Sequence, residues 1–174
     1  SQTKAAGESA KIAISPRTHA STALHQHWVV KSLVASMSIW LSVAPVYAQI
    51  QADPVANTAN RPVVGVGKNS QGQNVPVVNI QTPVNGVSHN IYKQMDVLSN
   101  GVVLNNSRTG AGSAIVGSVG ANPFLAKGEA RLILNEINST TATRFEGNLE
   151  VAGQRADVVI ANPAGINIKG GGFI

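Results

Sequence analysis

Ser88, His89 and Asp96 place a nucleophile, a base and an orienting acid in one short stretch. Neighbouring residues on a strand point to opposite faces, so Ser88 and His89 cannot meet as nucleophile and base. A solvated strand pair is by far the better account of them. Glu146 and Glu150 share a face of an alternating segment. Their spacing is long for a paired acid and base and typical of a wet surface. His25 and His27 have a spacing that suits a metal, but both lie in a segment that reads as a removable leader. Gly65-Val66-Gly67-Lys68 resembles a phosphate loop only superficially. The pattern G-x-x-x-x-G-K-S/T needs glycine where Pro62 stands, and no helix follows to supply an anion-binding end. There is no cysteine, which excludes disulfides and thiolate metal sites. The residues thus point to no catalytic group, no cofactor and no metal set, and to a protein that is not an enzyme.

The elements that carry these residues are short and β-like. Of 174 residues, 12% are charged and 4% aromatic, with 17 Gly and 8 Pro, a mixture that favours strands and corners over helices. The length suits one domain with a substantial core. The net charge of +5 invites a nucleic-acid reading. However, Lys4, Lys11, Arg17 and Lys31 precede the apolar leader segment, against Glu8 alone, and the remaining nine basic and seven acidic residues are scattered singly. No basic cluster with stacking aromatics exists, so nucleic acid is not an expected partner.

Residues 1–48 read as a signal peptide with a long basic front. Ser1–Lys31 leads into the apolar Ser32–Val43, and Val46-Tyr47-Ala48 places small residues before a cleavage point between Ala48 and Gln49. The apolar run is shorter than the roughly 20 residues that span a bilayer. A disordered or helical leader removed from a mature chain 49–174 is expected; the alternative is a buried N-terminal helix.

In the mature region, strands are expected at Val63–Val66 and at Val75–Ile80, the latter on an edge or starting at Pro76. Asn85-Gly86 is a strong hairpin signal, followed by strands at Val87–Tyr92 and Met95–Leu98. After the Ser99-Asn100-Gly101 turn come Val102–Leu104 and Asn105-Asn106. Arg108–Gly120 reads as loop or weak strand around Ala114-Ile115-Val116, and Ala130–Ile137 as a strand. Arg144–Val151 alternates cleanly, which predicts one strand with a wet face bearing Glu146 and Glu150.

The last twenty residues organise the rest. Val158-Val159-Ile160 precedes Asn162-Pro163-Ala164-Gly165, which fits a type I turn, and Ile166–Ile168 follows before Gly170-Gly171-Gly172. Asn122-Pro123-Phe124-Leu125 is a second Asn-Pro corner. Short strands recurring about every ten residues suit either a sandwich or a β-solenoid.

Asn74–Ser107 and Asn148–Ile174 closely resemble the amino-terminal secretion domain of two-partner-secreted exoproteins, the filamentous-haemagglutinin and contact-dependent-inhibition family of Gram-negative bacteria. The likeness extends over Gln49–Ile174. It implies an all-β, right-handed parallel β-helix with an N-terminal cap and extra-helical strands. It also implies a secretion signal exported through the inner-membrane Sec machinery and read by periplasmic POTRA domains of a partner outer-membrane β-barrel transporter. The domain would then nucleate β-helix folding outside the cell, at the surface or secreted. Downstream regions in such proteins contact host or neighbouring cells.

Two family motifs carry over with departures: Asn-Pro-Asn-Leu onto Asn122, Pro123, Phe124 and Leu125, and Asn-Pro-Asn-Gly onto Asn162, Pro163, Ala164 and Gly165. Asn122, Pro123, Asn162, Pro163 and Gly165 are therefore the candidate secretion-motif residues, acting in transporter recognition or as turns. The resemblance also implies a domain that continues beyond Ile174, so the stretch reads as a fragment, a truncated product or a decayed copy. The alternative from another class is a freestanding secreted module for carbohydrate or cell surfaces. Such a module needs aromatic platforms, and only Tyr92, Phe124, Phe145 and Phe173 follow the leader.

Overall fold

The computed structural model describes residues 49–174; the expected leader, with Ala48, His25 and His27, lies outside the described residues. Three walls of short parallel strands are visited in a fixed rotation. The first wall holds β3 (Asn74–Asn79), β5 (Val102–Asn106), β10 (Asn148–Gly153) and β13 (Gly172–Phe173). The second holds β4 (Val87–Met95), β8 (Leu132–Ile137) and β11 (Asp157–Ala161), and the third β9 (Thr143–Phe145) and β12 (Ile166–Ile168), with Val97 bridging to Phe145. The chain therefore winds as a parallel β-helix. Asp157 lies beside Leu132, Ile166 beside Thr143 and Gly172 beside Asn148, so a coil takes about 24 residues.

Stacking in register is what fills the interior. Val78, Leu104 and Val151 form one column through three coils, and Ile50, Ile80, Tyr92, Leu125, Ile137 and Leu149 join the same buried cluster. Inward-facing residues alternate with outward ones along β4 and β8, as the period of two requires. Buried asparagines break the apolar pattern without loss, because each is bonded. Asn90 accepts from Gln81 N–H, Asn105 donates to Asn79 Oδ1, and Asn135 donates to the Val159 carbonyl.

Two antiparallel strands close the first coil. β1 (Ile50–Ala52) pairs with β4, and β2 (Val63–Lys68) pairs with β3. An extra-helical hairpin, β6 (Ala111–Ser113) with β7 (Gly117–Val119), leaves the second coil and covers the outside of the first wall.

Several sequence expectations are corrected by this topology. Pro76 is neither first nor on an edge: β3 lies between β2 and β5. Pairing with β5 begins only at Val77, so Pro76 has no ladder partner to lose on that side. β4 is one strand through Met95 and is not divided after Tyr92. Arg144–Val151 is two strands, because the chain turns a corner at Gly147 between two walls. A side chain at Gly147 would run into the Leu98 carbonyl of the coil before. The expected wet face is also lost for Glu150, which is only 6% exposed because the tip after β6 covers it. Finally, Ala114-Ile115-Val116 forms the tip between β6 and β7 and not a strand.

The Asn85-Gly86 corner matches its expected turn. Asn85 and Gly86 both have positive φ, 53° and 85°, and Val84 and Val87 exchange backbone hydrogen bonds. This is the two-residue type I′ hairpin that Asn-Gly favours.

Candidate functional site

The two Asn-Pro corners use the same bonding scheme. Asn122 Oδ1 accepts from Phe124 N–H at 3.0 Å, and its Nδ2 donates to the carbonyls of Ile80 (3.0 Å) and Asn105 (2.9 Å). Asn162 Oδ1 accepts from Ala164 N–H at 2.9 Å, and its Nδ2 donates to the Thr141 carbonyl and Thr143 Oγ1, both at 3.0 Å. Each asparagine closes its own turn with the oxygen and ties the turn to neighbouring strands with the nitrogen. The scheme needs only main-chain N–H two residues on, which is why Phe124 and Ala164 can stand where the family motifs have asparagine.

The corners differ in depth. Asn122 is 1% exposed, and Pro123–Leu125 forms a 3-10 turn that drives Leu125 into the core. Asn162 is half-buried, while Pro163, Ala164 and Gly165 are exposed. Gly165 donates to the Asn162 carbonyl at 2.9 Å and accepts from Thr143 N–H at 3.0 Å, with φ at +100°. Ala164 has no positive φ, so the turn is type I as its sequence predicts. The structure does not bring the two corners into one site. Asn122 ties the ends of β3 and β5, whereas Asn162 ties the end of β11 to the start of β9.

Gln49, the expected mature N-terminus, is 5% exposed, its carbonyl accepting from Asp96 N–H at 2.8 Å. Ser88 is buried and donates to the Gln81 carbonyl. His89 lies on the opposite face, its Nε2 2.8 Å from Glu136 Oε2. Asp96 is engaged elsewhere, by Arg144 N–H at 2.9 Å and its guanidinium at 3.1 Å. The three are thus separately employed: Ser88 ties down the corner within its own coil, while His89 and Asp96 bond to the next coil. Asp53 joins the cap to the β8–β9 corner, and hydrogen bonds from Asn138 and then Val55 N–H hold its carboxyl below the ordinary range.

The last coil presents a different surface. Ile168, Phe173 and Ile174 are 75%, 60% and 54% exposed. A groove of about 500 Å³ runs between this edge and the β10–β11 corner, lined by Leu149, Val151, Val158 and Phe173 among others. Phe173 leans on Phe145 of the coil before, ring centroids 5.3 Å apart. Sequence reasoning named Glu150 and Asp96 without their partners, the tip after β6 and Arg144, and missed Asp53. Their partners are distant in sequence, and no local pattern marks them.

A cap of antiparallel strands, a stacked parallel coil and an extra-helical hairpin define a β-helix of the secretion-domain type. The family model for the TPS secretion domain matches residues 48–174, and the chain belongs to that family. It is similar to the crystal structure of the filamentous hemagglutinin secretion domain, with a TM-score of 0.61 and 39% identity, covering 72% of this chain and 39% of that one. It is 54% identical over 106 residues to "Toxin CdiA" of Yersinia pestis, covering 60% of this chain and 3% of the relative. It is 47% identical over 100 residues to "Filamentous hemagglutinin" of Bordetella pertussis, covering 57% and 3% respectively. With "Hemolysin" of Serratia marcescens the identity is 41% over 145 residues, covering 82% and 9%. The chain therefore spans a small part of the relatives it matches, and corresponds to the TPS secretion domain of hemagglutinin- and CdiA-type exoproteins.

Proposed function

We propose that residues 49–174 form the secretion signal of an exported adhesin or contact-dependent inhibition protein, bound by a partner outer-membrane transporter and nucleating the β-helix outside the cell. The observation that carries this reading is the family match over 48–174 on a β-helix whose last coil is open. Among the described residues, β11, β12 and β13 each have a ladder partner on one side only, and the side chains beside them are apolar and exposed. Such an edge accepts a further coil by ordinary strand pairing. The same open edges, together with β2, suit strand addition by the transporter's periplasmic domains. The chain acts by recognition and folding and not by catalysis. It reaches the periplasm through the Sec machinery and works at the surface of a Gram-negative cell, where sequences beyond this domain contact other cells.

The test is co-expression with the transporter gene from the same locus. The chain is expected in the medium when both are present and in the periplasm when the transporter is deleted. Equal amounts in the medium in both cases would overturn the reading.

A further inference from the structure

The hairpin β6–β7 is made by the second coil, yet its tip is fastened by the third. Glu150 on β10 points outward, and its carboxylate accepts from Ser113 Oγ (2.6 Å), Ala114 N–H (2.7 Å) and Ile115 N–H (3.0 Å). Ser113 Oγ in turn accepts from Val116 N–H at 3.0 Å. These are the unpaired donors of a tight tip, and a carboxylate satisfies them more strongly than a neutral acceptor would.

The apolar residues of the tip reach the other strands of the first wall. Val116 packs where Gly67 of β2 leaves room; a Cβ there would lie 2.9 Å from Val116 Cγ1. Ile115 packs over Gly101 at the entry to β5, where a Cβ would lie 2.9 Å from Ile115 Cδ1. Val75 and Val103 are buried beneath the hairpin together with Val119. The hairpin is therefore a strap laid across β2, β3, β5 and β10.

From this geometry we infer that Glu150 is a latch on the order of coil assembly: the strap closes only after β10 has stacked, and its closure then locks the third coil to the two before it. Residues 111–119 precede Glu150 in the chain, so on a polypeptide folding from its N-terminus the strap exists before its anchor does. Until β10 arrives, the tip has apolar contacts but no acceptor for its three donors. Once closed, undoing the third coil requires breaking those bonds as well as the β5–β10 ladder, which biases winding forward. The inference rests on the secretion reading for its use, but not for its test.

The test is pulse-labelled hydrogen exchange read by mass spectrometry during refolding of the chain from urea. Strap amides 114–116 are expected to gain protection after those of β10, and strap protection before β10 would overturn the latch. In the native protein, Glu150→Gln is expected to speed exchange of amides 114–116 at least tenfold while β4 and β8 keep theirs. Glu150→Gln conserves side-chain size and carries the test where Glu150→Ala does not fold. Gly67→Val leaves Glu150 intact but pushes on Val116, and should loosen the same amides. Unchanged strap exchange in both variants, or loss of protection throughout the chain together, would overturn the idea of an independent latch. Failure of export in co-expression would instead remove the secretion reading and leave the strap as a folding device.

Discussion

The hydroxyl of Tyr92 donates to Asn135 Oδ1 across 3.0 Å, joining the first coil to the second inside the apolar interior. Both side chains are completely buried. Tyr92→Phe would keep the ring and leave Asn135 with an unsatisfied oxygen, a loss of about 1–3 kcal/mol. Urea unfolding followed by circular dichroism should show a lower midpoint with an unchanged slope.

Burial also pushes the Tyr92 phenol far above its ordinary value of 10.0. In the unfolded chain it ionises at that ordinary value, whereas in the folded state it stays neutral. Its contribution is therefore complete below pH 10 and declines as the pH rises further, because only the unfolded state gives up the proton. Tyr92→Phe should flatten the fall in stability above that pH. An equal fall in both proteins would contradict the assignment.

Asp53 works at the other end of the pH scale. Its carboxyl is held below its ordinary value of 3.8, chiefly by Asn138 and then by Val55 N–H. A depressed folded value means that the stabilisation is present above 3.8 and is lost as the pH falls through the folded value. Asn138→Ala should reduce the acid sensitivity of the thermal midpoint between about pH 5 and pH 2. If the pH dependence were unaltered, the cap would not be held by this bond.

The two motif asparagines should separate by depth. Asn122→Ala strands two carbonyls in a buried setting and is expected to cost about 1–3 kcal/mol. Asn162→Ala, at a half-exposed corner, should cost about 1 kcal/mol or less by the measure of other capping side chains. If transporter recognition uses the second corner, Asn162→Ala and Pro163→Ala will lower export by more than their small stability change explains. Export tracking stability alone in both would assign the motifs to turn formation.

Gly147 has an ordinary φ, so its role is space and not conformation. Gly147→Ala would place a methyl against the Leu98 carbonyl. Relieving that clash needs the corner to shift, at about 1–3 kcal/mol. A crystal structure or melting curve unchanged by Gly147→Ala would contradict the tight stacking of the corners.

The parts readable from sequence were those fixed by near neighbours. Asn85-Gly86 and Asn162-Pro163 carry their turns in their own φ preferences, and the alternation in Leu132–Ile137 appears as alternating burial. Whatever depended on the next coil was not readable. Pro76 falls in a strand paired on both sides because pairing with β5 starts one residue later. Glu150 has the sequence pattern of a solvated residue, yet the hairpin that buries it comes from 35 to 37 residues earlier. The resemblance to a known secretion domain supplied the coil, since composition alone suited a sandwich as well.

A coil of about 24 residues advances the rod by one strand spacing, about 4.8 Å, whereas the same residues drawn out straight reach about 80 Å. Each completed revolution therefore reels in more than 70 Å of slack, roughly by that difference. A polypeptide anchored at this end and still threading a pore at the other would feel that shortening as a pull in one direction.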